Sequence, residues 1–172
     1  MGTGMGPVHG LCAAVDVHYL RSGGARAAAV VAADAAFSQV LFERTARVPG
    51  AEPYRPGEFY RRELPPLRAV LHGMGGLGLL VVDGYVDLDP GGRPGLGAHA
   101  HEVLAIPVIG VAKSAFRTAT HAIPVLRGAS KHPLFVTSAG IPRADAAELV
   151  RLMAGRFRVP DALRRADQLA RA

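Results

Sequence analysis

The sequence predicts an α/β fold: a mixed sheet with an antiparallel three-stranded start, then parallel strands, flanked by helices. Three observations carry this expectation. Residues 8–48 hold three strand-like segments with no helical stretch between them. Residues 79–83 and 106–112 are short, unbroken apolar runs, the pattern of strands buried on both faces of a sheet. Helical stretches separate and follow those runs, as parallel crossovers require.

Residues 8–19 are mostly small or β-branched and read as a buried strand, with the polar Asp16 and His18 near its end. Arg21-Ser22-Gly23-Gly24 is a turn signal. A second strand follows at 25–33 and a third at 37–48, where Phe37, Val40, Phe42 and Val48 interleave with Gln39, Glu43, Arg44 and Arg47. Pro49, Pro53 and Pro56 mark a loop at 49–57 around Tyr54. Residues 58–72 read as a helix, and Pro65 and Pro66 inside it predict a kink or a late start. The run 79–83 ends abruptly in Asp83-Gly84, and a Gly/Pro/Asp loop fills 85–94. A helix at 96–105 carries His99, His101 and Glu102, and the strand 106–112 ends at Lys113. Residues 114–131 look irregular apart from a short strand at 122–126. A strand at 134–137, the turn Ser138-Ala139-Gly140, and helices at 144–155 and 160–170 complete the chain.

With 172 residues, 49% hydrophobic and 20% charged, the chain is long enough for one globular domain with a real core. No apolar run approaches the roughly 20 residues that span a bilayer, so no membrane partner is expected. The Gly-rich start lacks the features of a secretory signal. A single cysteine, Cys12, excludes an internal disulfide and a cysteine-based metal site. A cytoplasmic monomer is expected. The net charge of +6 suits a polyanionic partner such as nucleic acid, and equally serves solubility.

Two apolar strands end in an aspartate, Ala14-Val15-Asp16 and Val81-Val82-Asp83. Should the first strand lie beside the fourth, these carboxylates converge at the sheet edge and repel each other. A divalent cation removes that repulsion, and hard oxygen ligands suit Mg²⁺. Glu63 and Asp167 could add further oxygens. By spacing alone, the plainer reading is stronger: Asp16 caps a turn and Asp83 opens an Asp-Gly loop.

Several segments change that balance when taken together. They are Val15-Asp16-Val17-His18-Tyr19, Pro53-Tyr54-Arg55-Pro56-Gly57 with 59–63, Val82-Asp83-Gly84 and Gly95-Leu96-Gly97-Ala98-His99. Pro107-Val108-Ile109-Gly110-Val111-Ala112-Lys113, Pro133-Leu134-Phe135-Val136-Thr137, and Arg158-Val159-Pro160 with Arg164-Arg165-Ala166-Asp167 complete the set. In this order, from about residue 13 to the end, the set resembles the endonuclease V family, deoxyinosine-specific nucleases with a ribonuclease H-like fold.

The resemblance implies one nuclease domain over 1–172 that uses Mg²⁺ to cut inosine-containing DNA or RNA, single-stranded or duplex, on the 3′ side of the inosine. Asp16, Glu63 and Asp83 match the metal-binding carboxylates, with Asp167 as a candidate fourth, and Lys113 matches a lysine close to the scissile phosphate. Pro53 and Tyr54 match a wedge loop that fills the gap left by an extruded base. Gly84 and the strand end Ile109, Gly110, Val111 and Ala112 match the surround of the flipped hypoxanthine. His99 matches a histidine near the phosphates; as a residue of the helix, it is as readily satisfied by a neighbour. A non-cleaving homologue that recognises deaminated bases is the alternative, and its expected signature, a lost carboxylate, is absent.

Two departures stand out. Where the family carries Gly-His after the strand at 134–137, this chain reads Gly140-Ile141, a position expected near the metal site, with His121 or His132 as possible substitutes in space. The helical segment that precedes the first strand in the family has no counterpart here, which a trimmed gene start or a shorter subfamily would equally explain.

Overall fold

The computed structural model describes residues 8–50 and 60–172. Among them, the elements run β1 (Leu11–Tyr19), β2 (Ala25–Ala32), β3 (Val40–Val48), α1 (Tyr60–Leu71), β4 (Leu77–Asp83), α2 (Leu96–Leu104), β5 (Val108–Ala112), β6 (Ile123–Val125), β7 (Leu134–Ala139), α3 (Arg143–Leu152) and α4 (Asp161–Arg171). All strands join one sheet in the order β3-β2-β1-β4-β5-β7-β6.

The first three strands form the expected antiparallel meander. β4 pairs parallel with β1, and β5 parallel with β4. The sheet then closes differently from expectation, because β7 and β6 pair antiparallel. No helix lies between β5 and β7, so the crossover that usually joins parallel strands is missing there, and the chain returns antiparallel.

Side chains alternate along each strand and so divide the core in two. On one face, Ala13, Val15, Ala27, Ala29, Leu80 and Val82 meet Leu67, Val70 and Leu71 of α1 and Ala100 of α2. On the other, Cys12, Ala14, Val30, Leu79, Val81 and Ile109 meet α3 and α4 through Ala146, Val150, Ala162, Leu163 and Ala166. The alanines on β1 and β2 let helices approach closely on both sides. β5 is buried along its whole length, as its unbroken apolar run predicts.

Three local expectations are corrected. The third strand starts at Val40, because Phe37 has φ 54° in a turn where Asp34 accepts from the backbone N–H of Phe37 and of Ser38. The fifth starts at Val108: Ala105 takes the left-handed conformation that ends α2, and Pro107 offers no N–H to a ladder. Pro65 and Pro66 lie inside α1, which continues through them. Such prolines cost about 3 kcal/mol each in a helix interior, against roughly 1.5–3 kcal/mol for each fully buried side chain such as Leu67 and Val70.

Candidate active site

The β1–β4 pairing places Val15 beside Val82, so the next residues, Asp16 and Asp83, stand side by side at the carboxyl ends of two parallel strands. Alternation from Ala14 and Val81 turns both carboxylates toward the α4 face. That is the crevice where open α/β sheets bind ligands. Asp16, Asp83 and Glu63 of α1 line one narrow cleft with Val15, Val17, Leu67, Val82 and Leu96.

The electrostatics of the cleft are those of crowded carboxyl groups. Burial pushes Asp16 up to about 7, helped by its hydrogen bond to Asp167 and by the charge of Asp83. Burial also pushes Glu63 up to about 8, with Asp16 and Asp83 adding repulsion and Arg62 opposing it. Asp167 moves the other way. Desolvation would raise it, but Arg171 Nε donates to its Oδ1 at 2.7 Å and Asp16 donates to it as well, and these hold it below the ordinary range. The two carboxyls thus shift in opposite directions, Asp16 up and Asp167 down.

Lys113, the residue after β5, reaches across to Asp83, with Nζ 2.8 Å from Oδ2. Desolvation opposes its charge, but the hydrogen bond and the negative field of Asp83, Asp16 and Asp167 raise its pKa. Arg62 lies 4.1 Å over the Tyr19 ring beside Glu63, and burial followed by the Glu63 charge pushes the phenol up.

Among the described residues, no three His, Cys, Asp or Glu side chains are already gathered as a closed ligand set. The residues nevertheless fit a hard divalent cation. The donors are all carboxylate oxygens, they share one cleft, and Asp16 and Glu63 hold protons that a cation there would replace.

The segment after Asp83 is packed tightly on the sheet. Gly84 has φ 134° and donates its N–H to Val111 O at 2.9 Å. The Val86 N–H donates to Thr137 Oγ1 at 2.8 Å, deep in the core. A Cβ on Gly110 would come within 2.6 Å of Gly84 O and 2.8 Å of Val86 N, so only glycine admits this loop. Ile109, Gly110, Val111 and Ala112 form β5 itself and are buried. They form a buried wall behind the Gly84 loop. His99 lies half-buried in the first turn of α2. Pro53 and Tyr54 lie outside the described residues.

The structure corrects the expectation for Ile141. Val136 is level with Val111 and hence with Asp83, and β7 runs three more residues away from them to Ala139, about 10 Å at ~3.3 Å per residue. Ile141 therefore lies at the opposite end of the sheet from the carboxylates, packed against the apolar cluster under α3. Neither His121 nor His132 lines the cleft. It is Asp167, supplied by the last helix, that stands beside Asp16.

Sequence reasoning missed Arg171, Tyr19, Arg62 and Thr137. Arg171 lies four residues after Asp167, the spacing that pairs charges on one helix face, and could have been found from that. The others depend on which strands become neighbours.

Comparisons with known proteins give the family and the fold. The family model described as endonuclease V matches residues 5–135. Endonuclease V of Azotobacter vinelandii is 35% identical, over 95% of this chain and 83% of its own length. Endonuclease V of Streptomyces coelicolor is 34% identical, over 96% of this chain and 80% of its own. The crystal structure of endonuclease V from Streptomyces avermitilis superposes with a TM-score of 0.81 at 33% identity, covering 98% of this chain and 82% of that one. The fold is also shared, at a TM-score of 0.80 and 19% identity over 95% of this chain and 84% of that one, with Ciona intestinalis endonuclease V (D234N) in complex with DNA containing an inosine followed by a ribo-adenosine.

Proposed function

The chain belongs to the endonuclease V family and is thereby a nuclease, a hydrolase of phosphodiester bonds; from that premise we propose that it cuts nucleic acid on the 3′ side of inosine and depends on Mg²⁺ to do so. The observation that carries the proposal is the convergence of Asp16, Glu63 and Asp83 in one cleft, with Asp167 hydrogen-bonded to Asp16 and Lys113 to Asp83. Mg²⁺, when bound, would supply an activated water and neutralise charge on the attacked phosphate.

The chain's own residues would do the rest. Asp16, Glu63 and Asp83 would hold the ion, with Asp167 as a further oxygen beside Asp16, and the protons that Asp16 and Glu63 give up on binding it would pass to solvent. Lys113 Nζ, 2.8 Å from Asp83 Oδ2, would stabilise the negative charge that develops on the phosphate oxygens. The walls of the cleft, Val15, Leu67, Val82 and Leu96, exclude bulk water and strengthen these interactions. Gly84, backed by β5, would line the seat of the extruded base, and Tyr54 would fill the gap in the stack. The sequence-independent attraction to a phosphate backbone implied by +6 would serve DNA and RNA alike.

The test uses inosine-containing DNA and RNA oligonucleotides, with Mg²⁺ or with chelator. Cleavage one nucleotide 3′ of inosine, abolished by chelator and by Asp83→Ala, is expected. Cleavage that survives Asp83→Ala would overturn the metal site. Binding without cleavage at every metal concentration would instead mark a protein that only recognises deaminated bases.

A further inference from the structure

An exposed aromatic ring is flanked by two arginines, one of which lies a helical turn before Asp167. Phe157 is 47% exposed. The guanidinium carbon of Arg156 lies 4.9 Å from its ring centre, and that of Arg164 lies 4.7 Å away. Arg156 has no other partner among the described residues, and Arg164 has only a long contact of 3.5 Å to Asp161 Oδ1. Each guanidinium carries five donors, so nearly all of these N–H groups remain available.

The segment bearing this ring is rigid. Buried Arg127 donates to Met153 O at 2.9 Å and to Gly155 O at 2.8 Å. The neighbouring Gly128 packs directly on Arg156 O. Arg158 donates to Pro133 O at 2.9 Å and to Lys113 O at 2.5 Å. The residue after Phe157 thus ties this segment, through its guanidinium, to the backbone of the lysine that pairs with Asp83. Arg164 lies three residues before Asp167 on α4, a rise of about 4.5 Å along the same side of the helix. An exposed apolar ring held this firmly, with two guanidiniums stacked on it and only Arg164 loosely paired, to Asp161, is preorganised for an anion.

We propose that the Arg156–Phe157–Arg164 cluster is a phosphate clamp for the nucleic-acid strand that enters the carboxylate cleft. It rests on the functional reading above and adds a contact that positions the strand without taking part in bond cleavage. Phe157 orders the two guanidiniums so that both can donate to the oxygens of one backbone phosphate.

The test measures binding of a fluorescently labelled, inosine-containing single-stranded DNA in chelator across a salt series, and cleavage with Mg²⁺ at saturating substrate. The variants are Arg156→Ala/Arg164→Ala, Phe157→Leu, and Arg151→Ala as a charge control on α3. The double variant should bind about tenfold more weakly at ~0.1 M salt, with the slope of log affinity against log salt reduced by about 0.7–1. Phe157→Leu should weaken binding although every charge remains, and turnover at saturation should hold in both. Arg151→Ala should bind as wild type. If wild type binds and cleaves but the double variant keeps its affinity and salt slope, the clamp is overturned and the functional reading stands. A loss from Arg151→Ala equal to that of the double variant would reduce the effect to net charge and also overturn the clamp. Wild type that neither binds nor cleaves would overturn the functional reading, and the clamp with it.

Discussion

Lys113 Nζ lies 2.8 Å from Asp83 Oδ2, so the residue following β5 closes an ion pair with the last residue of β4. The pair is partly solvated, with side chains 42% and 29% exposed, so its worth to stability is about 0–1 kcal/mol. Under the proposed function its larger part, in the field of Asp83, Asp16 and Asp167, is in chemistry rather than in folding. Lys113→Ala should slow cleavage by roughly 10²–10³-fold. The same change should tighten Mg²⁺ binding, because Asp83 loses a competing cation. Single-turnover cleavage and a Mg²⁺ titration followed by calorimetry measure both; wild-type cleavage by the variant would remove Lys113 from the reaction.

The raised carboxyls predict how stability depends on pH. Asp16 rises from an ordinary 3.8 to about 7, and Glu63 from 4.5 to about 8. Between those values the folded chain binds protons that the unfolded chain has released, so stability falls as pH rises. The contribution is complete below about pH 4 and is lost as pH passes 7 to 8. Without metal, Tm should therefore decline between pH 5 and pH 8, and Glu63→Gln should flatten the decline. Mg²⁺ should raise Tm more at pH 8 than at pH 5, because it binds the deprotonated form. Scanning calorimetry across that range decides the matter, and an equal Mg²⁺ effect at both pH values would count against the assigned ligands.

Gly110 and Thr137 together seat the loop that follows Asp83. A methyl group at Gly110 would meet Gly84 O at 2.6 Å and Thr137 Oγ1 at 2.8 Å. Gly110→Ala should cost about 1–3 kcal/mol from overpacking. Thr137→Val leaves the Val86 N–H without its buried acceptor and should also cost about 1–3 kcal/mol. Chemical denaturation gives both values, and unchanged midpoints would show that the loop relaxes freely.

Tyr54→Ala tests the wedge. Extrusion of a base from a duplex costs a few kcal/mol, and an inserted aromatic recovers about 1–3 kcal/mol of stacking. Cleavage of inosine-containing duplex should fall about tenfold or more, and cleavage of single strands should fall less. Equal losses on the two substrates would remove the wedge.

Much of the architecture is legible in the chain because its signals are local. The unbroken apolar runs through Leu80–Val82 and in β5 announce strands covered on both faces, and the structure buries them fully. Where local signals compete, tertiary packing decides. Phe37 has the composition of a strand residue, yet the Asp34 turn holds it at positive φ. Pro65 and Pro66 argue against a continuous helix, yet burial of Leu67 and Val70 keeps α1 intact.

The aspartates at the ends of β1 and β4 follow the same division. The sequence by itself determined that Asp16 and Asp83 close apolar strands, and its ordered motifs determined the family. Only the tertiary structure decided that the two carboxylates meet, that Asp167 reaches Asp16 from the last helix, and that Ile141 lies at the far end of β7. Periodicity along a chain is written by neighbouring residues. A carboxylate cluster depends on strand order and register, which arise from packing between segments up to about 150 residues apart.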